Sequence, residues 1–208
     1  LHAATMVTAG IFLLLRINLL LPASTETAEL SYFNSPCSLP TAGANSFIVI
    51  IGLLTILFAG LSSIGQYDIK KVIAYSTCAQ IGYMFFTLYQ FFPNFGSLFH
   101  LITHGFFKAL LFLSAGLLIH NFLNEQDLRK YGNFSFLFPL FSIFILYGSL
   151  AIIAFPPLSG YFSKESILLH TLINPNLSTC TETAGLSFYI LLLFGSLLSF
   201  LYPYKLLS

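Results

Sequence analysis

The sequence predicts an all-α, polytopic membrane protein of about six transmembrane helices, one of them discontinuous. Three observations predict it. Of 208 residues, 57% are hydrophobic and only 7% charged, against roughly 25% charged in soluble domains, and the mean hydropathy is +0.87. Apolar runs near the roughly 20 residues that a bilayer crossing needs recur along the whole chain. The Lys and Arg of the connections and of the chain's end then fall on one side of the membrane once the crossings are counted, as the positive-inside rule requires. A net charge of +1 excludes the basic surface of a nucleic-acid binder.

The whole of 1–208 reads as a single membrane domain. Residues 3–21 form the first apolar run, stopped by Pro22. Residues 22–46 form a long polar loop with Glu26, Glu29, Cys37 and three prolines. Residues 47–64 and 72–92 are the next two runs, joined by the charged GQYDIKK turn. Residues 96–120 follow, then the polar stretch NFLNEQDLRKYGNFS. Residues 136–173 are apolar but interrupted by FPPLSGYF, which ends one helix and starts another near Pro156–Gly160. Residues 186–207 close the series. Its broken member is either two short spans or one span broken near the midplane. Counted as one, it puts Lys70, Lys71, Arg129, Lys130 and Lys205 on one side and leaves the loops 22–46 and 174–185 without Lys or Arg. Counted as two, it moves Lys205 to the other side. The single broken helix is the better fit, although 38 residues would span about 57 Å if straight. Its first half must therefore tilt, shift sideways at the break or begin outside the membrane.

His100, His104 and Lys108 recur at four-residue spacing in a run where almost everything else is apolar. Each step turns about 40° and climbs about 6 Å, so the three groups form a ladder on one face. Ionisable residues inside a span are expensive, and proton relays are a leading use of them. Two other readings stay open: polar glue between helices, and a metal held by histidines at i,i+4. No supporting Cys, Met or carboxylate accompanies the metal reading on this helix. Lys164 and Glu165 form a second site where the broken helix restarts, a place where transporters expose backbone groups to ions; a Lys–Glu pair there limits net buried charge. His2 is a third candidate proton carrier. Ser76, Gln80, Tyr83 and Thr87 make a polar seam on the third run, read as either a water file or helix–helix hydrogen bonding. Cys37 and Cys180 fall in loops on the side without Lys or Arg, which leaves a disulfide between them open. Cys78 reads as a small packing residue. The cysteines form no metal motif.

The blocks LHAATMVTAGIFLLLR, DIKKVIAYSTCAQIGYM, FHLITHGFFKALLFLSAG, IHNFLNEQDLRKYG and GSLAIIAFPPLSGYFSKE resemble the antiporter-like subunits of NADH:ubiquinone oxidoreductase (respiratory complex I), with EQDLRK and SKE closest to the subunit 5 branch. The resemblance implies a proton-translocating membrane-arm subunit of the mitochondrial inner membrane, without a redox centre of its own. NAD, FMN, Fe–S clusters and ubiquinone would belong to other parts of the assembly. It implies an axis of buried charge in which His2, His100, His104, Lys108 and Lys164 take part, with Glu165 where an Asp is commoner. It places the basic loops on the matrix side. The chain resembles the second half-repeat of an inverted-repeat fold, from about the eighth to the thirteenth helix. Expected partners are therefore other membrane-arm subunits, membrane lipid and a companion chain carrying the first half-repeat, with a split gene as the leading explanation of a sequence that opens on Leu1. The competing functions are a subunit of a sodium/proton antiporter and a membrane-embedded structural subunit without proton transfer.

Overall fold

A computed structural model describes residues 5–20, 42–88, 95–132, 134–173 and 182–207. Among the described residues, seven helices are arranged in the order α1 (Val7–Leu20), α2 (Ala42–Gly65), α3 (Ile69–Leu88), α4 (Phe95–Asn121), α5 (Pro139–Ile153), α6 (Ser159–Ile173) and α7 (Glu182–Leu207), with short helical turns at Leu128–Lys130 and Phe134–Leu137 before α5. Among the described residues the only β feature is an isolated bridge between Asp68 and Asp127. α2 begins several residues inside the stretch read from sequence as loop. α3 starts earlier than its apolar run.

Among the described residues, three helices contain apolar windows long enough to cross a bilayer: Phe47–Gly65 in α2, Gly96–Asn121 in α4 and Phe188–Leu206 in α7. Shorter apolar stretches occupy α1 and α5. α3 is the exception that explains the packing. It carries Ser76, Thr77, Gln80 and Thr87, yet 14 of its 20 residues are buried. α1, α2, α4 and α7 all pack against it. A helix shielded by other helices has no lipid-facing stripe to satisfy, so its polar residues can be spent on helix–helix hydrogen bonds. The peripheral helices do the opposite: Phe58 on α2, Phe106 and Leu113 on α4 and Leu197 on α7 are exposed, as lipid contact requires. α2 and α3 approach closely through Gly52 and Gly82; a Cβ on Gly82 would lie 2.8 Å from the Gly52 carbonyl oxygen.

The break in the fifth apolar run is a helix stop followed by a sideways restart. Ala154 caps α5 in the left-handed region (φ 69°), and the Phe155 N–H bonds back to the Leu150 carbonyl at 3.1 Å, the six-to-one contact of a Schellman stop. α6 then starts beside the last turn of α5, because a Cβ on Gly160 would fall 1.9 Å from the Ala151 carbonyl oxygen. The two halves overlap sideways, which accommodates a segment too long to cross as one straight rod.

Lys71, Arg129, Lys130 and Lys205 gather at one end. Backbone bonds join the α2–α3 turn to the α4–α5 connection: Ile69 N–H to the Gln126 carbonyl and Leu128 N–H to the Tyr67 carbonyl, both 3.0 Å. The Arg129 and Lys205 cations sit over the Tyr67 ring, 4.3 and 3.9 Å from its centroid. Lys205, two residues beyond Pro203 inside α7, also donates to the Ile64 and Gln66 carbonyls at 2.8 and 2.6 Å, capping the end of α2 as a cation should. Lys71 pairs with Asp68 at 2.7 Å and Lys130 with Glu125 at 2.9 Å. The Lys71 hydrogen bond holds the Asp68 carboxyl below its ordinary range. Burial pushes the Tyr131 phenol up to about 12, and its hydroxyl donates to the Glu125 carbonyl at 2.6 Å. With Lys205 at this end, α5 and α6 together make one crossing.

Two outcomes follow from these contacts. Gly160→Ala forces α6 away from α5 and should lower stability by about 1–3 kcal/mol, the usual range for overpacking, seen as a lower thermal midpoint of the purified protein. Lys205→Met removes two carbonyl bonds and one ring contact and should cost about 1–3 kcal/mol in the same assay, whereas the exposed Lys130→Met should change little.

Candidate functional site

The ladder is on the inner face of α4. His100, His104 and Lys108 are each 0% exposed, whereas Phe106 on the same helix is 77% exposed. The four-residue spacing therefore segregates the ionisable groups from the lipid face, as helical geometry demands.

The polar seam of α3 supplies partners in antiparallel order. Lys108 Nζ donates to Ser76 Oγ and, at 3.4 Å, to the Ile73 carbonyl. His100 Nε2 meets Gln80 Oε1 at 3.1 Å, and Gln80 Nε2 donates to the Tyr202 hydroxyl of α7 at 3.0 Å. On its other side, His100 Nδ1 meets Ser163 Oγ of α6 at 2.9 Å. Ser163 donates to the Gly160 carbonyl at 3.2 Å and receives Thr103 at 3.4 Å. His104, between the other two rungs, makes no hydrogen bond at either nitrogen. Its ring lies 6.2 Å from that of His100 and 5.4 Å, edge-on, from Phe107. Thr87 bonds only to carbonyls of its own helix, so the seam that faces the ladder ends at Tyr83.

Lys164 forms the second buried cation, 4% exposed. Its Nζ donates to the Ile152 carbonyl and, at 2.9 Å, to Ser199 Oγ of α7. Ile152 lies in the last turn of α5, where carbonyls have no partner further along the helix. The break thus creates the acceptor that the lysine uses. The ammonium also sits 5.7 Å from the centre of the Tyr83 ring. Tyr83 itself has an unpartnered hydroxyl, and Gly195 leaves it room, since a Cβ there would lie 2.9 Å from that oxygen. The expected Lys164–Glu165 pair does not form. Adjacent helix positions point about 100° apart, so Lys164 faces inward while Glu165 is only half-buried. The described ion pairs both lie at the basic end.

Neither Lys108 nor Lys164 bonds to a carboxylate; both rest on carbonyl and hydroxyl dipoles. Such groups let a proton stay or leave without separating an ion pair, which is the chemistry a relay needs. Ser163, Ser199, Tyr202 and Thr103 are the functional neighbours that the sequence did not single out as such. Ser163 sits beside Lys164 at a helix restart, and Ser199 and Tyr202 share a face of α7 at i,i+3; those spacings were the available signals. His2, Cys37 and Cys180 lie outside the described residues. Cys78 is exposed on α3 and does not pack in the interior. Among the described residues no group of three or more His, Cys, Asp and Glu could hold a metal.

Comparison with known proteins gives one consistent result. The family described as "NADH:quinone oxidoreductase/Mrp antiporter, TM" matches residues 1–185. The chain is 50% identical over 167 residues to NADH-ubiquinone oxidoreductase chain 5 of Acanthamoeba castellanii, covering 80% of this chain and 22% of that protein. It is 47% identical over 174 residues to chain 5 of Chondrus crispus, covering 83% and 23%. To NADH-quinone oxidoreductase subunit L of Rickettsia bellii it is 48% identical over 167 residues, covering 80% and 23%. The chain thus spans less than a quarter of the length of these relatives, but the matched region holds both buried sites. An all-helical fold, an interior ladder of His and Lys, and a family match over most of its length agree: the chain belongs to the transmembrane family of NADH:quinone oxidoreductase and Mrp antiporter subunits.

Proposed function

We propose that this chain is part of the proton-translocating membrane arm of a mitochondrial NADH:ubiquinone oxidoreductase and carries protons or charge through His100, His104, Lys108 and Lys164. The observation that carries the reading is the burial of four ionisable side chains among helices, three of them held by neutral dipoles and His104 without a hydrogen bond among the described residues. Buried charge in a membrane is costly and marks ion pathways. Polar glue between helices needs no lysine, and certainly not two.

The buried cations give this chain the part of moving charge in such an enzyme, while NAD, FMN, Fe–S clusters and ubiquinone belong to other parts of the assembly. Redox work done there would be delivered by shifting the positions or partners of these cations. Glu165, half-buried at the edge of α6, offers an acidic exit from Lys164, and His2 an entry from α1. The rest of the pathway, on the same polypeptide or on a companion chain, supplies the other half-repeat. Other membrane-arm subunits and lipid cover the exposed apolar faces, and the basic end faces the matrix. The antiporter alternative is less well supported, because the most similar relatives compared above carry NADH oxidoreductase names.

Lys108→Ala should assemble and retain electron transfer from NADH in uncoupled membranes while losing coupled proton movement by about a hundredfold or more, the usual range for a positioned proton carrier. Normal pumping in an assembled mutant would refute the relay. Lys164→Met should show the same loss, accompanied by a lower thermal midpoint, because the Ile152 carbonyl loses its buried donor.

A further inference from the structure

The partners of His100 share one property: each can reverse its hydrogen-bonding role. Ser163 at Nδ1 is a hydroxyl, able to donate to a ring nitrogen or to accept from a ring N–H while its own hydrogen goes to the Gly160 carbonyl, 3.2 Å away. Gln80 at Nε2 is an amide, with an acceptor at one corner and donors at the other. Tyr202 at the far end of Gln80 is again a hydroxyl, which can accept from the amide nitrogen or donate to the amide oxygen. Gln80 and Tyr202 are each no more than 1% exposed, so bulk water does not compete. A lysine or an ionised aspartate at any of these three places would have fixed one polarity, and an aliphatic residue would have offered no hydrogen bond.

We propose that Gln80 is a reversible amide switch that keeps His100 fully hydrogen-bonded in each of its proton states, with Tyr202 as its counter-contact. With hydrogen on Nε2, or on both nitrogens, the amide presents Oε1 to the ring and its NH2 group donates to Tyr202. This is the arrangement in the structure. With hydrogen on Nδ1 alone, the amide turns over: its NH2 group donates to the Nε2 lone pair, and the Tyr202 O–H donates to Oε1. Ser163 follows at the other nitrogen by rotating its hydroxyl. His100 and Gln80 keep their hydrogen bonds to each other and to their neighbours in each state; the one bond exchanged is that of the Ser163 hydroxyl to the Gly160 carbonyl, given up when the hydroxyl turns to Nδ1. The amide gives up no proton; it only follows the proton that His100 gains or loses. The titratable groups around this site are His104 and Lys108 on α4, Tyr83 on α3, Lys164 on α6 and Tyr202 on α7. His104, with no partner at either nitrogen, lacks any such device, so of the two histidines only His100 is built to rest in each state. Gln80 and Tyr202 are positioning residues, and the role of the switch in transport rests on the relay described above.

The test uses the assembled, membrane-bound enzyme with 15N-labelled glutamine side chains. Infrared difference spectra are taken between resting and NADH-reduced states, and coupled proton movement is measured on the same preparations. The expected result is an isotope-sensitive side-chain amide band that shifts on reduction and is lost in Gln80→Leu and in His100→Ala. In Tyr202→Phe its amplitude should fall about fivefold, the ratio that one neutral hydrogen bond is worth. A shifting amide band that survives in both Gln80→Leu and His100→Ala, or no shifting band at all, overturns the switch. Should Gln80→Leu fail to assemble, loss of the band in His100→Ala decides. A band that behaves as expected while His100→Ala still pumps refutes the relay and keeps the switch. An immobile band in an enzyme whose His100→Ala form cannot pump does the reverse.

Discussion

Two ammonium groups and two imidazoles are enclosed by helices with no carboxylate bonded to them among the described residues, and the rest of the structure answers to that. In a medium of low dielectric constant a buried polar group needs a partner. With no acid bonded to them, the partners have to be backbone carbonyls and small hydroxyls, and helices hide their carbonyls. Two solutions appear. α3 brings Ser76 and Gln80 to α4, which is why the most polar of the long helices is also the most enclosed. The break between α5 and α6 frees the Ile152 carbonyl for Lys164. The polar centre thus dictates which helix is surrounded and where another is interrupted.

Glycines make these contacts geometrically attainable. Gly160 lets α6 begin against the end of α5, so that Ser163 and Lys164 arrive beside His100 and Ile152 respectively. Gly195 leaves space at the Tyr83 hydroxyl, and Gly52 with Gly82 lets α2 lie close along α3. In a membrane, where burying apolar surface gains little over lipid, such close approach and the hydrogen bonds it allows hold helices together. The loops contribute at the basic end, where Tyr67, Arg129 and Lys205 join three chain segments.

Much of this was legible in the sequence. Apolar runs gave the membrane helices, four-residue spacing gave the ladder a common face, and the distribution of Lys and Arg argued for one broken crossing over two. The inward face of Ser76, Gln80 and Tyr83 was legible for the same reason: helical periodicity places them together. What escaped was long-range. Nothing in the local pattern of α7 says that Ser199 meets Lys164 or that Tyr202 meets Gln80, 122 residues away. The Lys164–Glu165 pairing failed because adjacency in sequence is not adjacency on a helix. Thr87 continued the spacing of the seam but satisfied its hydroxyl on its own backbone, an option every Thr in a helix has. Helix ends were the least readable, since α2 begins among residues that composition marks as polar loop.

α7 touches both buried sites through one short stretch. Ser199 holds Lys164, Tyr202 holds the amide beside His100, and Lys205 is clamped over Tyr67. Pro203 lies between the clamp and these contacts, and a proline inside a helix removes a backbone bond and favours a bend there. One turn of α7 therefore ties the neighbours of Lys164 and of His100 together: displacing it would draw the serine from the lysine and the tyrosine from the glutamine in one motion, while the Lys205 clamp stays in place.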